Sequence, residues 1–172
     1  HATAQALENC RHPIVAQIHG ICVGGGLEIA ALADIRICGE SSRFGAPIKN
    51  LGLVMAYAEM APLVRLVGTA TALEILLEGR VFDAAEAKDK GIVSRVVPDA
   101  DVAAEARAAA QRIADGAPLA ARWHKKFARR LADPRPLTDA ERDECFECFD
   151  SEDFRIGYAA FLAKRKPEFT GR

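Results

Sequence analysis

The sequence predicts an α/β fold that continues into a helical region, and two observations support this. Residues 13–19 form a β-type run closed by Gly20, followed by a glycine triplet, a helical pattern over 27–33 and an alternating run over 34–39. Strand, turn, helix and strand in that order predict a parallel βαβ unit. From Asp99 onward the pattern is wholly helical. We therefore expect an α/β portion over 1–98 and a helical region over 99–172.

The remaining elements follow from the same patterns. Residues 45–55 read as a loop, with Pro47 and Gly52 as breakers. Thr138 and Glu141 have the spacing of a capping box, which predicts a helix start there. Helices are expected at 58–67, 70–77, 84–90, 101–115, 119–132, 139–149 and 153–164, with one more strand within 92–97.

Composition limits the classes of function. Of the 172 residues, 50% are hydrophobic and 27% are charged, which is typical of a globular protein. The net charge of -1 argues against a nucleic-acid partner, because phosphate binding requires a basic surface. We see no apolar run of membrane-spanning length and no secretory signal, so no membrane partner is expected. Five cysteines, an odd number, favour reduced thiols and a cytoplasmic location.

The glycine triplet Gly24-Gly25-Gly26 is the strongest candidate for chemistry. Glycines allow a tight turn and a close approach of ligand to backbone, and the first amides of the next helix lack internal partners. Such a turn can donate an N–H to a developing oxyanion. Glu28 follows in the first helical turn and could transfer a proton there. The alternative is a packing turn, with Glu28 merely favouring a helix N-terminus.

The flanking residues favour the oxyanion-binding turn over the packing turn, because together they closely resemble the enoyl-CoA hydratase/isomerase (crotonase) family. The resemblance covers nearly the whole chain. Its residues are Pro13-Ile14-Val15-Ala16, Gly20, Gly24-Gly25-Gly26, Glu28, Ala30, Asp34-Ile35, Phe44-Gly45, Pro47, Arg65-Leu66-Val67-Gly68, Gly79-Arg80-Val81, Ala84-Ala85-Glu86-Ala87, Gly91-Ile92-Val93 and Phe161-Leu162-Ala163-Lys164-Arg165-Lys166-Pro167.

This resemblance implies a crotonase-like spiral of ββα units with a helical C-terminal region, assembled as a homotrimer or hexamer. It also implies an acyl-CoA thioester substrate, no metal and no separate cofactor. By position, Gly25 matches a backbone donor to the thioester oxygen and Glu28 matches a catalytic glutamate, with Gly24 beside them. Phe161 and Lys164 match residues that approach the CoA nucleotide.

Three departures from the family pattern bear on the reaction. The N-terminal third of the family, with the first oxyanion donor, has no counterpart here, so we expect a fragment that is catalytically incomplete alone. Hydratases of the family place a second glutamate after the proline matched by Pro47, where this chain has Ile48. Because Ile48 cannot transfer a proton, paired-glutamate hydration should be severely impaired. Ile48 would instead line the substrate site.

The third departure is the loop after Gly52, where hydratases are glycine-rich and this chain has Leu53-Val54-Met55-Ala56-Tyr57-Ala58-Glu59-Met60. Bulky side chains there should reshape the acyl pocket. Glu59 could replace the missing carboxylate, and Tyr57 could donate a proton. The alternatives are a helix-start charge for Glu59 and pocket packing for Tyr57.

Several functions remain open. Isomerisation needs one proton-shuttling base and decarboxylation needs still less, so either could replace hydration. A non-catalytic acyl-CoA-binding protein would keep the fold without the chemistry. A zinc or redox role for Cys145 and Cys148 is weak, because no second ligand pair accompanies them. Dinucleotide binding is also weak, because Gly-x-Gly-x-x-Gly spacing is missing.

Overall fold

The computed structural model describes residues 2–172, which form two compact units. One comprises residues 2–10 and 14–109, and the other comprises Arg11–Pro13 and Ala110–Arg172. The sequence predicts a boundary after Pro98, whereas the first unit ends at Ala109, within the helix Val102–Ala114.

The first unit alternates short strands with helices. In chain order its elements are α1 (Ala2–Glu8), β1 (Val15–Ile18), β2 (Ile21–Val23), α2 (Gly25–Ala31), β3 (Ile35–Gly39), β4 (Arg43–Gly45), a 3₁₀ helix (Pro47–Leu51), α3 (Tyr57–Glu78), β5 (Val81–Asp83), α4 (Ala84–Asp89), β6 (Arg95–Val97), a 3₁₀ turn (Asp99–Asp101) and most of α5 (Val102–Ala114).

The strands of this unit form two three-stranded sheets. The first has the order β1-β3-β6 and is parallel throughout, with Val15 opposite Ile35 and Ile37 opposite Arg95. The second has the order β2-β4-β5, with β2 and β4 parallel and β4 and β5 antiparallel. The parallel pairing of β1 with β3 around α2 confirms the expected βαβ unit. The sequence analysis missed β2, β4 and β5, because three residues are too few to show a periodic pattern.

The alternation of polar and apolar residues over 34–39 predicts a strand with one solvated face, and this prediction is wrong for β3. Four of its five residues are buried, and Arg36 is only 6% exposed. The Arg36 guanidinium donates from Nε to the Ile92 carbonyl oxygen at 2.6 Å and also to the Ala33 carbonyl oxygen. The charged residue in the alternating run is therefore a buried arginine on the central strand, bonded to two main-chain carbonyl oxygens.

Helix α3 is bent sharply at Gly68, whose φ of 77° and ψ of 162° are not helical. This confirms the two helices expected at 58–67 and 70–77. Among the described helices, α3 alone is long and apolar enough to cross a membrane by length and composition. The break at Gly68 leaves neither part near the roughly 20 residues that a span requires. Leu63, Ala72 and Ile75 of α3 are instead buried in the core of the unit.

The second unit is helical, as expected. It contains the end of α5, then α6 (Pro118–Leu131), α7 (Asp139–Asp143), a 3₁₀ helix (Glu144–Asp150) and α8 (Glu152–Leu162). Thr138 accepts the Glu141 N–H at 3.2 Å and the Glu141 carboxylate accepts the Thr138 N–H at 2.8 Å, which confirms the capping box. The single α-helix expected over 139–149 is wrong, because the chain tightens into a 3₁₀ helix after Asp143.

Candidate active site

The glycine turn joins β2 to α2 and is held by the second sheet. The Gly24 N–H donates to the Gly45 carbonyl oxygen at 2.9 Å, continuing the pairing of Val23 with Gly45. Gly24 has a φ of 52° and a ψ of −122°, a conformation that a side chain would strain. Below the turn, Leu27 and Phe44 are fully buried in the core. The first amides of α2 are therefore fixed by the fold.

The exposed amides of Gly25 and Gly26 are the chemical feature of this turn. Both residues lie at the start of α2 and are exposed. Within residues 2–172, neither N–H group donates a hydrogen bond, whereas the Glu28 N–H is already bonded to the Gly24 carbonyl oxygen at 3.0 Å. An oxygen that gains negative charge beside the turn can accept hydrogen bonds from these N–H groups.

Glu28 lies directly over this turn. Its Oε2 atom is 4.0 Å from the point that a Cβ on Gly25 would occupy. The side chain is partly buried, and burial raises the pKa of its carboxyl group above the usual value, with the negative charge of Glu59 raising it further. A raised pKa makes this carboxylate a stronger proton acceptor than an exposed glutamate.

Glu59 lies in the first turn of α3. Its Oε2 accepts the Ala56 N–H at 3.1 Å, so the carboxylate closes the start of the helix. Its charge also acts on Glu28, so the fold places the two carboxylates within electrostatic range. Glu59 thus has the helix-start role and lies near the predicted base at the same time.

Ile48 lies on the 3₁₀ helix Pro47–Leu51 and packs, partly buried, against the core of the first unit. After it, Met55 is buried and anchors the loop. Leu53, Val54 and Tyr57 are exposed, with Tyr57 94% exposed. The remodelled loop therefore presents apolar side chains and one phenol to its surroundings.

Phe161 and Lys164 belong to the second unit. Phe161 is 79% exposed near the end of α8, and Lys164 is the one described non-glycine residue with a left-handed backbone, at a φ of 50°. The sequence analysis did not single out Asp153, which is 2% exposed and binds main-chain N–H groups of the C-terminal residues. A pattern could not reveal these long-range partners, although Ser151 two residues earlier has the identity of a helix N-cap.

Comparison with known proteins gives a consistent result. The family model for enoyl-CoA hydratase/isomerase matches residues 1–172. A crystal structure of an enoyl-CoA hydratase/carnithine racemase from Magnetospirillum magneticum is 53% identical with a TM-score of 0.96, covering 98% of this chain and 63% of that one.

Curated relatives agree with this match. A probable enoyl-CoA hydratase of Mycobacterium bovis is 39% identical, covering 99% of this chain and 67% of its own length. The probable enoyl-CoA hydratase of Bacillus subtilis is 38% identical, covering 97% and 66% respectively. The chain thus spans about two thirds of the length of these relatives. The spiral α/β fold, the glycine turn and these similarities together show that the chain belongs to the enoyl-CoA hydratase/isomerase family.

Proposed function

We propose that this protein is an acyl-CoA thioester enzyme of the hydratase/isomerase type. The observation that carries the proposal is the pair of exposed, unbonded N–H groups of Gly25 and Gly26 beneath the Glu28 carboxyl group. The relatives are named as enoyl-CoA hydratases, which supports a thioester substrate for this chain.

The chemistry assigned to the residues is proton transfer with enolate stabilisation. The Glu28 carboxylate removes a proton from the carbon beside the thioester carbonyl, and the electron pair moves onto the carbonyl oxygen. The Gly25 N–H donates to that oxyanion. The Glu28 carboxylic acid then returns the proton to a carbon further along the acyl chain, so the double bond shifts and Glu28 is regenerated. Isomerisation therefore requires one carboxylate, which fits an apolar Ile48.

Hydration is the second candidate, and the interaction of Glu59 with Glu28 is the observation that favours it. In this reaction Glu59 takes a proton from a water whose oxygen bonds to the second carbon from the carbonyl, and the double-bond electrons move onto the carbonyl oxygen as an enolate. Glu28 then gives a proton to the carbon beside the carbonyl as the carbonyl re-forms. Tyr57, at the start of the same helix, is the further candidate donor. Incubation with trans-2-enoyl-CoA and with 3-enoyl-CoA, with products identified by mass, distinguishes hydration from isomerisation, because only hydration adds a water.

The proposal extends to binding and assembly. Gly24 and Ile48 line the acyl site, whereas Phe161 and Lys164 bind the nucleotide part of CoA. CoA is part of the substrate, so catalysis uses no metal and no separate cofactor. Exposed apolar side chains such as Ile21 and Val54 support assembly as a homotrimer or hexamer. The five cysteines, all among the described residues, form no disulfide, which supports a cytoplasmic location.

A substitution that replaces the N–H hydrogen with a ring carbon tests the oxyanion donor. Gly25→Pro deletes the N–H at the first position of α2, where proline is well accepted in helices. Loss of one such donor should lower kcat by about 10²–10³. Gly25→Ala, the matched control, keeps the N–H and adds a methyl group with 4.0 Å of clearance from Glu28 Oε2. Its kcat should fall less than that of Gly25→Pro, because the donor is retained.

The outcomes of this experiment separate the functional classes. Equal kcat values for Gly25→Pro and Gly25→Ala would contradict the role of the Gly25 N–H. Binding of crotonyl-CoA without turnover by the unmodified full-length protein, and unchanged in Glu28→Gln, would identify a non-catalytic acyl-CoA-binding protein instead.

A further inference from the structure

Two cysteines lie in one short helix of the second unit. Cys145 and Cys148 both belong to the 3₁₀ helix Glu144–Asp150. Because a 3₁₀ helix has three residues per turn, side chains three positions apart lie one above the other, roughly 6 Å apart along the axis. In the α-helix that the sequence predicts over 139–149, the same two positions would be offset by about a sixth of a turn. The 3₁₀ helix therefore places both thiols on one face.

The hydrogen bonds of the two thiols show how their sulfur atoms are directed. The Cys145 thiol donates to the Arg142 carbonyl oxygen and the Cys148 thiol donates to the Cys145 carbonyl oxygen, both at 3.2 Å. The Cys148 sulfur thus lies against the main chain of Cys145. Protein disulfides join Cα atoms about 4.4–6.8 Å apart, a range that includes one 3₁₀ turn. The pair can therefore close into a disulfide through a local change in this turn.

Two other cysteines show what distinguishes this pair. Cys22 and Cys38 are buried in the core of the first unit, and burial raises the pKa of each thiol to about 11. Since the thiolate is the form that attacks a disulfide, both should stay unreactive. Cys145 is exposed and Cys148 is half-buried. An oxidant from solution can therefore reach Cys145 first, which leaves Cys148 to react second.

Zinc binding is the other chemistry of paired cysteines, and structural zinc sites use four protein ligands. Among residues 2–172, no cluster of three or more His, Cys, Asp or Glu side chains is arranged to hold a metal ion. Two thiols alone suffice for disulfide exchange, and the disulfides that form in a cytosol are usually transient and redox-sensing. The pair therefore fits redox chemistry better than metal binding.

We propose that Cys145 and Cys148 form a redox-active dithiol that exchanges with a small disulfide of the glutathione type. The Cys145 thiolate attacks one sulfur of that disulfide, which forms a mixed disulfide and releases one reduced thiol. The Cys148 thiolate then attacks the Cys145 sulfur, which closes the Cys145–Cys148 bond and releases the second reduced thiol. The pair loses two electrons and two protons, and the small disulfide takes up both. This site takes no CoA ester, so it stands apart from the proposed function.

Closure of the bond should also move the aromatic rings of this turn. The Phe149 ring stacks on Phe146 with centroids 6.5 Å apart, and it meets the Phe154 ring of α8 edge-on at 5.0 Å. Phe146 lies between the two cysteines in sequence, and Phe149 directly follows Cys148. A disulfide brings the two Cβ atoms to about 3.5–4.5 Å, closer than one 3₁₀ turn of about 6 Å, so the turn that carries these rings must adjust.

A single tryptic peptide reports on the pair in the full-length protein. Cleavage after Arg142 and Arg155 releases residues 143–155, which contain Cys145 and Cys148 and no other cysteine. The protein is equilibrated in buffers of reduced and oxidised glutathione, free thiols are blocked with iodoacetamide, and the peptide is weighed. As the oxidised share rises, a peptide that is unblocked and lacks two hydrogen atoms should replace the doubly blocked one. Dithiothreitol should reverse the change.

Single substitutions separate the two steps. Cys148→Ser removes the second nucleophile, so the reaction should stop at the mixed disulfide. At an equal glutathione ratio, glutathionylated Cys145 should be at least about tenfold more abundant in this variant than in the wild type, because intramolecular closure consumes it in the wild type. Cys145→Ser should form no internal disulfide. Cys10→Ser, the matched control in the first unit, should behave as the wild type does.

Near-UV circular dichroism measures the aromatic rings in the same samples. Oxidised glutathione should change the aromatic signal of the wild type and leave that of Cys145→Ser unchanged. An internal disulfide with an unchanged signal would contradict the movement of the rings alone.

Three results would contradict the dithiol site itself. Both thiols could remain reduced in fully oxidised glutathione, or the wild-type peptide could carry two glutathionyl groups without closing. The thiols could also resist iodoacetamide until a chelator is added, which would identify a metal site instead.

Discussion

The glycine turn and residues 170–171 both present neighbouring main-chain N–H groups. Only those of residues 170–171 donate to an acceptor within the described residues. Asp153, buried at the start of α8, accepts the Thr170 and Gly171 N–H groups. The Gly25 and Gly26 N–H groups are exposed and bind no described residue. The buried Asp153 carboxylate must be paired for the fold to be stable, whereas the exposed N–H groups of the glycine turn can bind a ligand. The comparison separates a region that stabilises from a region that binds.

The largest expected effect tests whether the glycine turn at residues 24–26 takes part in catalysis. Glu28→Gln keeps the shape of the side chain and removes its proton transfer, which should lower kcat by about 10²–10⁴-fold. Retained turnover would place the base elsewhere. The substitution should not destabilise the fold, because the raised pKa of Glu28 means that folding disfavours its charged form.

The sign of that stability effect follows from the raised pKa. Between the unfolded and folded pKa values the folded state binds more protons, so stability falls as pH rises through this window and stays lower above it. Glutamine carries no charge, so Glu28→Gln should leave the Tm at pH 7 equal or slightly higher. Thermal unfolding at pH 7 and at pH 4 measures this, and the difference between variant and wild type should shrink at the lower pH.

The second prediction concerns the Thr170 and Gly171 N–H groups, and here the expected change is in stability and not in turnover. Asp153→Ala leaves the Thr170 and Gly171 N–H groups without their acceptor, which should lower the free energy of unfolding by about 1–3 kcal/mol. Urea unfolding of this variant and of Gly25→Ala makes the comparison direct, because Gly25→Ala disturbs no hydrogen bond. If Gly25→Ala were the more destabilising of the two, the division between a stabilising and a binding region would be wrong.

The sequence predicted the βαβ unit and the two helices separated at Gly68, because helical and strand patterns of sufficient length carry these signals. It also placed Gly25 and Glu28 on one turn. It did not predict that β3 is buried around Arg36, since the partners Ala33 and Ile92 become neighbours only in the folded chain. The hydrogen bonds from the Thr170 and Gly171 N–H groups to Asp153 were missed for the same reason. Local patterns specify elements, whereas long-range hydrogen bonds depend on how those elements pack.

The smallest expected effect concerns the coupling of the two carboxylates beside the open turn. Glu59→Gln removes a negative charge that raises the pKa of Glu28, while its amide oxygen can still accept the Ala56 N–H and close the start of α3. Since a nearby anion favours the neutral form of Glu28, its removal should lower the pKa of Glu28. The acidic limb of the kcat/KM profile should therefore move to lower pH. Burial, the larger cause, remains, so the shift should be partial.

The matched control is Glu78→Gln, at the other end of α3, where the carboxylate binds Arg80 at 2.7 Å. Its profile should coincide with that of the unmodified protein. The maximal rate of Glu59→Gln distinguishes the two candidate reactions. If Glu59 takes a proton from water, hydration should fall by about 10²-fold or more while isomerisation persists. If Glu59 only adjusts Glu28 and closes the helix, both rates should remain within a few-fold, and a profile that does not move would show that the two carboxylates act independently.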